Sequence, residues 1–342
     1  MNLPAATKRH SIADTKPGAP DARALWHVAP SSARLLPQAL PAPAAGEMLV
    51  RTLWSAVSRG TERLVHQGLT APEHRDHMRA PMQEGDFPFP VKYGYCAVGR
   101  VEIGPEESVG RLVFALHPHQ DAFILPAADA VPVPDTVPAR RATLAANMET
   151  ALNALWDSGA GAGDRIVVVG AGLIGLLITY LAARLPGAEV TALDPNIARR
   201  PLAERFGARF TDDPTAVGEA DVVFHASATS QGLRTALACC GTEASLVEVS
   251  WYGDEDVTVG LGGPFHCKRL KLISSQVGAL PPSRRPRWTR RRRLEKALAL
   301  LADDALDALI TGEVAFDDLP HALDRIFTGA PDEVATLVRY PA

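Results

Sequence analysis

The chain is short of cysteine. Four occur in 342 residues, Cys96, Cys239, Cys240 and Cys267, and no two form a C-x-x-C pair. Cys239 and Cys240, as sequence neighbours, are poor partners for a mutual bridge. A disulfide framework is therefore excluded as the source of stability, and a reduced, cytoplasmic setting is expected. Excess positive charge is also missing. A formal charge of −4 gives no global field to attract nucleic acid or an anionic membrane. No apolar core follows Met1, so a secretion signal is not expected. A membrane helix is not expected either. The most apolar stretch, residues 166–185, is about the ~20 residues a span needs. Its strand-like start and its three glycines in fixed register argue against one continuous helix.

What is present is a globular composition, 46% hydrophobic and 22% charged, and enough length for roughly two domains. Residues 1–20, rich in Ala and Pro and without a period, read as a flexible tail. Over residues 24–134, short β-like runs (EMLVRTLWSAV, YCAVGRVEI, GRLVFAL, DAFILPA) are cut by Gly and Pro, which suggests a partly open β-barrel. A helix is expected over 140–156. Then IVVVG, EVTALD, DVVFHAS and SLVEVSW alternate with helical segments. Such alternation predicts an α/β fold with a doubly wound parallel sheet and helices on both faces. LEKALALLADDALDALI and LPHALDRIF read as amphipathic helices, and EVATLVRY as a closing strand. The expected division is a barrel domain at 21–142, completed by 282–342, and a sheet domain at 143–281.

The strongest motif is RIVVVGAGLIG. A β-branched run, residues 166–169, leads into Gly170, Gly172 and Gly175 in G-x-G-x-x-G spacing. Gly170 serves the tight turn, Gly172 the close approach of backbone to a pyrophosphate, and Gly175 the packing of the helix on the sheet. The helix opens at Leu173 and Ile174, so its free N–H groups and positive dipole end face the phosphates. EVTALD ends at Asp194, placed to accept hydrogen bonds from an adenosine ribose. Together these predict a bound dinucleotide. Asp194 favours NAD, because a carboxylate repels a 2′-phosphate. Arg199 and Arg200 are close enough in sequence to swing toward such a phosphate, which leaves NADP open.

The tract RRPRWTRRRR, residues 284–293, invites a nucleic-acid reading, with arginines on phosphate and Trp288 stacked on a base. It leads into a helix whose next turns hold Asp303, Asp304 and Asp307, and the rest of the chain is not basic. A solvated or interface helix is the better expectation.

A barrel, then a dinucleotide-binding domain, then a return to the first domain resembles the medium-chain dehydrogenase/reductase superfamily, alcohol dehydrogenase-like. The blocks SAVSRGTERLV, FPVKYGYCAVGRVE, GRLVFAL, ETALNAL and GAGLIG resemble it in order. SRGTE with KYGY is most similar to the branch containing bacteriochlorophyllide a dehydrogenase, an NAD-linked oxidoreductase of a hydroxyethyl side chain. The resemblance implies a Rossmann domain, a GroES-like catalytic domain and a homodimer. It also implies departures. Where zinc-using members have a ligand Cys, this chain has Ser58. Where they have Gly-His-Glu, it has Gly94, Tyr95 and Cys96, and their third ligand falls near Ala146. The lobe for a structural zinc is missing between Val113 and Ala127. Since a catalytic zinc needs three ligands of Cys, His or carboxylate type, none is expected, though a rearranged site using Cys96, His66 or His117 stays open.

Without a metal, hydrogen-bond donors must polarise the reacting oxygen. Tyr95 takes the place of the ligand histidine, and Lys92 could lower its pKa. His117 matches a substrate-pocket position and could relay a proton. Ser58 and Thr61 are further donors, and Glu62 is expected in an ion pair. By family layout, Thr150 approaches the nicotinamide and Ser227 borders the adenine or ribose. Trp251 and Tyr252 could form an aromatic wall. These residues predict a zinc-independent, NAD(H)-dependent alcohol/ketone oxidoreductase acting on a small molecule. An NADPH-dependent quinone or enoyl reductase, or a non-catalytic dinucleotide-binding protein, is the alternative.

Overall fold

The computed structural model describes residues 21–341. The tail expected at residues 1–20 lies outside them. The second half of the chain carries a six-stranded parallel sheet. In sequence its strands are Arg165–Val169, Glu189–Leu193, Arg209–Thr211, Ala220–His225, Cys240–Glu248 and Lys271–Ser274. Counted in that order they lie 3-2-1-4-5-6 across the sheet, with the order reversing beside the first strand. In open α/β sheets, ligands bind at that reversal, outside the carboxyl ends of the strands. Ile166, Val168 and Phe224 share one core with helices Ala145–Ser158 and Leu173–Ala182. Val167, Val169 and Val223 pack on helix Ser230–Cys239 on the other face. The Rossmann sheet expected from the alternation is present.

The first half builds a seven-stranded sheet and a four-stranded one. Strand Glu47–Val57 is the long member. Its first part pairs with Ala122–Pro126, its last part with Ala335–Arg339, and its other edge with Ala97–Ile103. The C-terminal strands Ile310–Ala315 and Ala335–Arg339 therefore return to the first half. This is the barrel-like GroES architecture.

Two elements differ from expectation: the single helix expected over 140–156 is two, Ala139–Ala142 and Ala145–Ser158, and one amphipathic run is broken. The amphipathic run starting at Leu294 is not one helix. Helix Arg290–Leu300 stops, and a 3-10 turn, Asp304–Leu309, follows. Asp303 forces the break. Its Oδ1 accepts from Ala305 N at 3.0 Å, while Oδ2 accepts from Tyr180 Oη at 3.0 Å and from Arg184 at 2.8 Å. A capping carboxylate tied to another helix ends the run where periodicity alone continues it.

Candidate active site

Strand Arg165–Val169 is buried at four of its five positions. It delivers the chain to Gly170, which adopts φ +103°. A Cβ on Gly170 would lie 2.8 Å from Ala226 C and from Ser227 N, so the turn rests directly on the exit loop of the neighbouring strand. A Cβ on Gly175 would lie 1.8 Å from Gly170 O, so only glycine lets the helix seat there. Gly172 is different: a Cβ there meets nothing within 4 Å. Gly172 is also the N-cap of helix Leu173–Ala182, and no side chain caps that helix. Open space therefore lies over a helix start whose first N–H groups are left for a ligand.

Asp194 closes the other side of the turn. Its Oδ2 accepts from Ala171 N at 2.6 Å and its Oδ1 from Asn196 N at 2.8 Å. Arg199 does not stand over this carboxylate ready for a phosphate. It is buried and donates to Glu333 O at 2.7 Å and Asp332 O at 3.3 Å. Burial, and then the charge of Arg59, push its pKa down. Arg200 lies 4.9 Å from the centre of the Phe210 ring and 3.6 Å from Glu204. Arg199 is thus held away from such a phosphate, while Arg200, 39% exposed, is held only by surface contacts.

Ser227 stands beside the glycine turn, as its contact with Gly170 requires. Its Oγ lies 2.7 Å from His225 Nε2, and His225 Nδ1 lies 2.6 Å from Glu248 Oε2. Tyr252 donates to the same Glu248 oxygen at 3.0 Å. Burial pushes the Glu248 carboxyl up, but bonds from His225 and Ser250 hold it below its ordinary value. Tyr252 is thus committed to this network, and only Trp251 of the expected aromatic pair lines the cleft described next.

A cavity of about 860 Å³ is lined by Thr61, Tyr95, Ala146, Thr150, Trp251 and Gln276, among others. Tyr95 donates to Ser58 Oγ at 2.6 Å. The local fold explains why that oxygen is free to accept. Ser58 is the N-cap of helix Arg59–Gln67, but its hydroxyl caps nothing. Instead Glu62 Oε1 accepts from Ser58 N at 2.8 Å and fixes the turn. Glu62 is fully buried. Its other oxygen lies 2.9 Å from His119 Nε2, and His119 Nδ1 lies 2.7 Å from Ser55 Oγ. The side-chain partner of Glu62 is thus His119. Burial pushes the Tyr95 phenol well above its ordinary value. The nearby Cys96 and Glu62 push the same way, and the bonds to Ser58 and Thr61 offset only part of the rise. Tyr95 is therefore a standing hydrogen-bond donor, not a phenolate. Thr150 donates to Ala146 O at 3.0 Å, within its own helix.

Two expected partners are not brought to Tyr95. The Lys92 ammonium binds Glu84 and, at 2.7 Å, Gln120 Oε1. It is spent there, and the Tyr95 phenol is raised rather than lowered. His117 stacks on Phe123 at 3.9 Å, and its Nδ1 donates to Pro118 O at 2.9 Å. Burial, then the Lys92 charge, push its pKa down to about 3. A histidine neutral throughout the physiological range is no relay at pH 7. The rearranged ligand set is also dispersed. Cys96 Sγ contacts Asn147 at 3.8 Å, and His66 Nδ1 faces His27 Nδ1 at 2.9 Å. Among the described residues no group of three or more His, Cys, Asp or Glu side chains could hold a metal ion.

Sequence reasoning missed one set. The arginine tract is not simply solvated. Arg293 is 2% exposed and donates to Glu149 Oε1 at 2.9 Å, and Arg290, Arg291, Arg293 and Glu149 all line the cavity. The signal was present: Arg293 shares a helix face with Leu294, Ala297 and Leu298, all buried.

No protein-family model matches the chain. It is 25% identical over 320 residues to D-guloside 3-dehydrogenase of Escherichia coli (strain K12), covering 84% of this chain and 91% of that protein. Its structure resembles 2R,3R-butanediol dehydrogenase from Bacillus subtilis with a TM-score of 0.75 and 18% identity, over 94% of this chain and 100% of the other. It also resembles a protein from Sinorhizobium meliloti 1021 described as a zinc-binding dehydrogenase bound to NADP. There the TM-score is 0.74 and the identity 18%, over 93% of this chain and 99% of the other. At such identities the structural likenesses show the fold.

Proposed function

We propose that this chain, an NAD(P)-dependent oxidoreductase of the medium-chain alcohol dehydrogenase-like type, oxidises or forms a secondary alcohol without zinc, using Tyr95, Ser58 and Thr61 to hold the reacting oxygen. The observation that carries the reading is the 2.6 Å bond from Tyr95 to Ser58. By the superfamily resemblance, these side chains take the places of two metal ligands of its zinc-using members. Here they satisfy each other, and Ala146 offers no third donor. Hydroxyl, phenol and methyl groups do not fit a catalytic zinc, which takes thiolate, imidazole or carboxylate.

A nicotinamide dinucleotide fits the residues present. Gly172 leaves room over a bare helix start, Gly170 and Gly175 permit the close turn, and Asp194 offers a carboxylate at the ribose position. When bound, the nicotinamide supplies or accepts the hydride. The chain does the rest. On binding, the substrate oxygen displaces Ser58 as the acceptor of the single Tyr95 O–H, which burial keeps protonated. In the reducing direction Tyr95 gives that proton to the oxygen as hydride reaches the carbon and regains one from water; oxidation reverses both transfers. Ser58 and Thr61 orient that phenol, and Glu62, with His119 behind it, holds the Ser58 backbone. Thr150 and Trp251 line the same cavity.

The finer assignments rest on less. We take NAD as the cofactor, on Asp194 and on the occupied Arg199. The substrate class is a secondary carbinol. The relative named as acting on a guloside supports it, and so does the likeness of SRGTE and KYGY to the hydroxyethyl-oxidising branch. Residues 21–142 with 282–342, and 143–281, are taken as the two domains. We take the place to be cytoplasmic, on the four free cysteines; no helix among the described residues is long and apolar enough to cross a membrane. The exposed sheet edge at Lys271–Ser274, with Leu272 44% exposed, supports pairing of two chains there.

The test is Tyr95→Phe. Turnover with the preferred alcohol or ketone is expected to fall about 10²-fold or more, while NADH affinity holds. Unchanged turnover removes Tyr95 from the chemistry.

A further inference from the structure

The cavity is lined by four arginines, Arg79, Arg290, Arg291 and Arg293, against two carboxylates, Asp129 and Glu149. The chain as a whole is negative, at −4, so the cationic lining does not follow from composition. Three of the arginines are committed. Arg293 holds Glu149 at 2.9 Å, with Asn153 and Val277 O as further acceptors. Arg79 donates to Asp86 at 2.8 Å and Gly85 O at 3.2 Å. Arg291 donates to Glu295 at 2.7 Å and to the carbonyls of Ala128 and Ala130 at 2.7 and 2.9 Å. Arg290 opens helix Arg290–Leu300, is exposed to solvent where it meets the cavity, and has no side-chain hydrogen-bond or ion-pair partner among the described residues. Its charge is felt inside: burial pushes Glu149 up, and Arg293 and then Arg290 oppose that rise.

We propose that Arg290 is the anion anchor of the substrate cavity: the alcohol carries a carboxylate or phosphate group, which Arg290 grips while the carbinol lies at Tyr95. This rests on the reading of the cavity as the substrate site of the oxidoreductase. A planar guanidinium with its donors unspent suits either oxyanion, in a two-point grip. Arg293 and Glu149, paired at 2.9 Å, belong to the same lining.

The test uses the full-length protein saturated with NADH, so that the pyrophosphate site is filled. Inorganic phosphate, acetate and, as a neutral control, glycerol are titrated by calorimetry against wild type, Arg290→Gln and Arg290→Lys. At least one anion is expected to bind the wild-type complex, to bind Arg290→Gln at least about tenfold more weakly, and to regain part of that loss in Arg290→Lys. Glycerol should not distinguish the three. Tighter phosphate than acetate assigns a phosphorylated substrate, and the reverse order a carboxylate. Equal anion binding by wild type and Arg290→Gln, or none by wild type, overturns the proposal while leaving the oxidoreductase reading intact. Weakened NADH binding in Arg290→Gln gives the arginine to the cofactor and also overturns it. Failure of wild type to bind NADH at all overturns the functional reading itself.

Discussion

The same substitution at two glycines of one turn should give opposite results. At Gly172 the backbone has φ −75° and ψ −174°, which alanine adopts without strain, and the added Cβ meets nothing. Removing glycine freedom from the unfolded chain stabilises a protein by about 0.4–1 kcal/mol at such a site. Gly172→Ala should therefore melt at or slightly above the wild-type temperature. The methyl group enters the space assigned to the pyrophosphate, so NADH binding should weaken at least about tenfold, or about 1.4 kcal/mol. At Gly175 the Cβ would lie 1.8 Å from Gly170 O. Helix or turn must move, at a cost of about 1–3 kcal/mol or more. Each kcal/mol lowers the melting temperature by roughly 2–4 °C, or somewhat less in a chain this long. Gly175→Ala should lose both stability and NADH binding. Thermal melts and NADH fluorescence titrations of the two variants are sufficient. Wild-type NADH affinity in Gly172→Ala would show that no pyrophosphate lies over that residue, and the cofactor geometry argued here would be wrong.

Further outcomes follow from the same contacts. Asp194→Ala should weaken NADH by about tenfold and NADPH by less, as seen in paired titrations; an equal loss for both would show that Asp194 does not select the cofactor. His27 and His117 are each pushed down to about 3 in the fold, by burial first, from an ordinary value of 6.5. Between those values the unfolded chain binds more protons, so the stability they contribute is complete above about pH 6.5. It falls as the pH drops toward 3, by up to about 1.4 kcal/mol per pH unit for each histidine. Urea midpoints should decline across that window, less steeply in His117→Gln, and a flat profile would contradict the burial argument.

How much of this was legible in the sequence depended on the range of the contacts. The glycine turn could be read because strand, turn, helix and acid are local and each obeys a short-range rule. Ser58 and Tyr95 could be placed only through the superfamily blocks, since 37 positions separate them. Lys92 was misjudged because its partners lie on Glu84 and on Gln120, 28 positions away, while Tyr95, three residues on, faces elsewhere. His117 looked like a titrating loop residue beside a proline, and nothing nearby in the sequence announces the stack on Phe123. Arg293 was hidden inside a charge run. Its spacing to Leu294, Ala297 and Leu298 marks the inward face, but the carboxylate that lets a charge be buried there, Glu149, lies 144 positions earlier. The helix break at Asp303 escaped for the same reason: Tyr180 and Arg184, far earlier in the chain, hold that carboxylate.

The central claim is that side-chain donors, and not a metal, steady the reacting oxygen beside a nicotinamide. Elemental analysis of the purified full-length protein, saturated with NADH and dialysed without chelator, tests it most directly. The account predicts zinc far below one atom per chain in protein that binds NADH fully and turns over. One tightly held zinc per chain, lost together with activity on chelation, would contradict it.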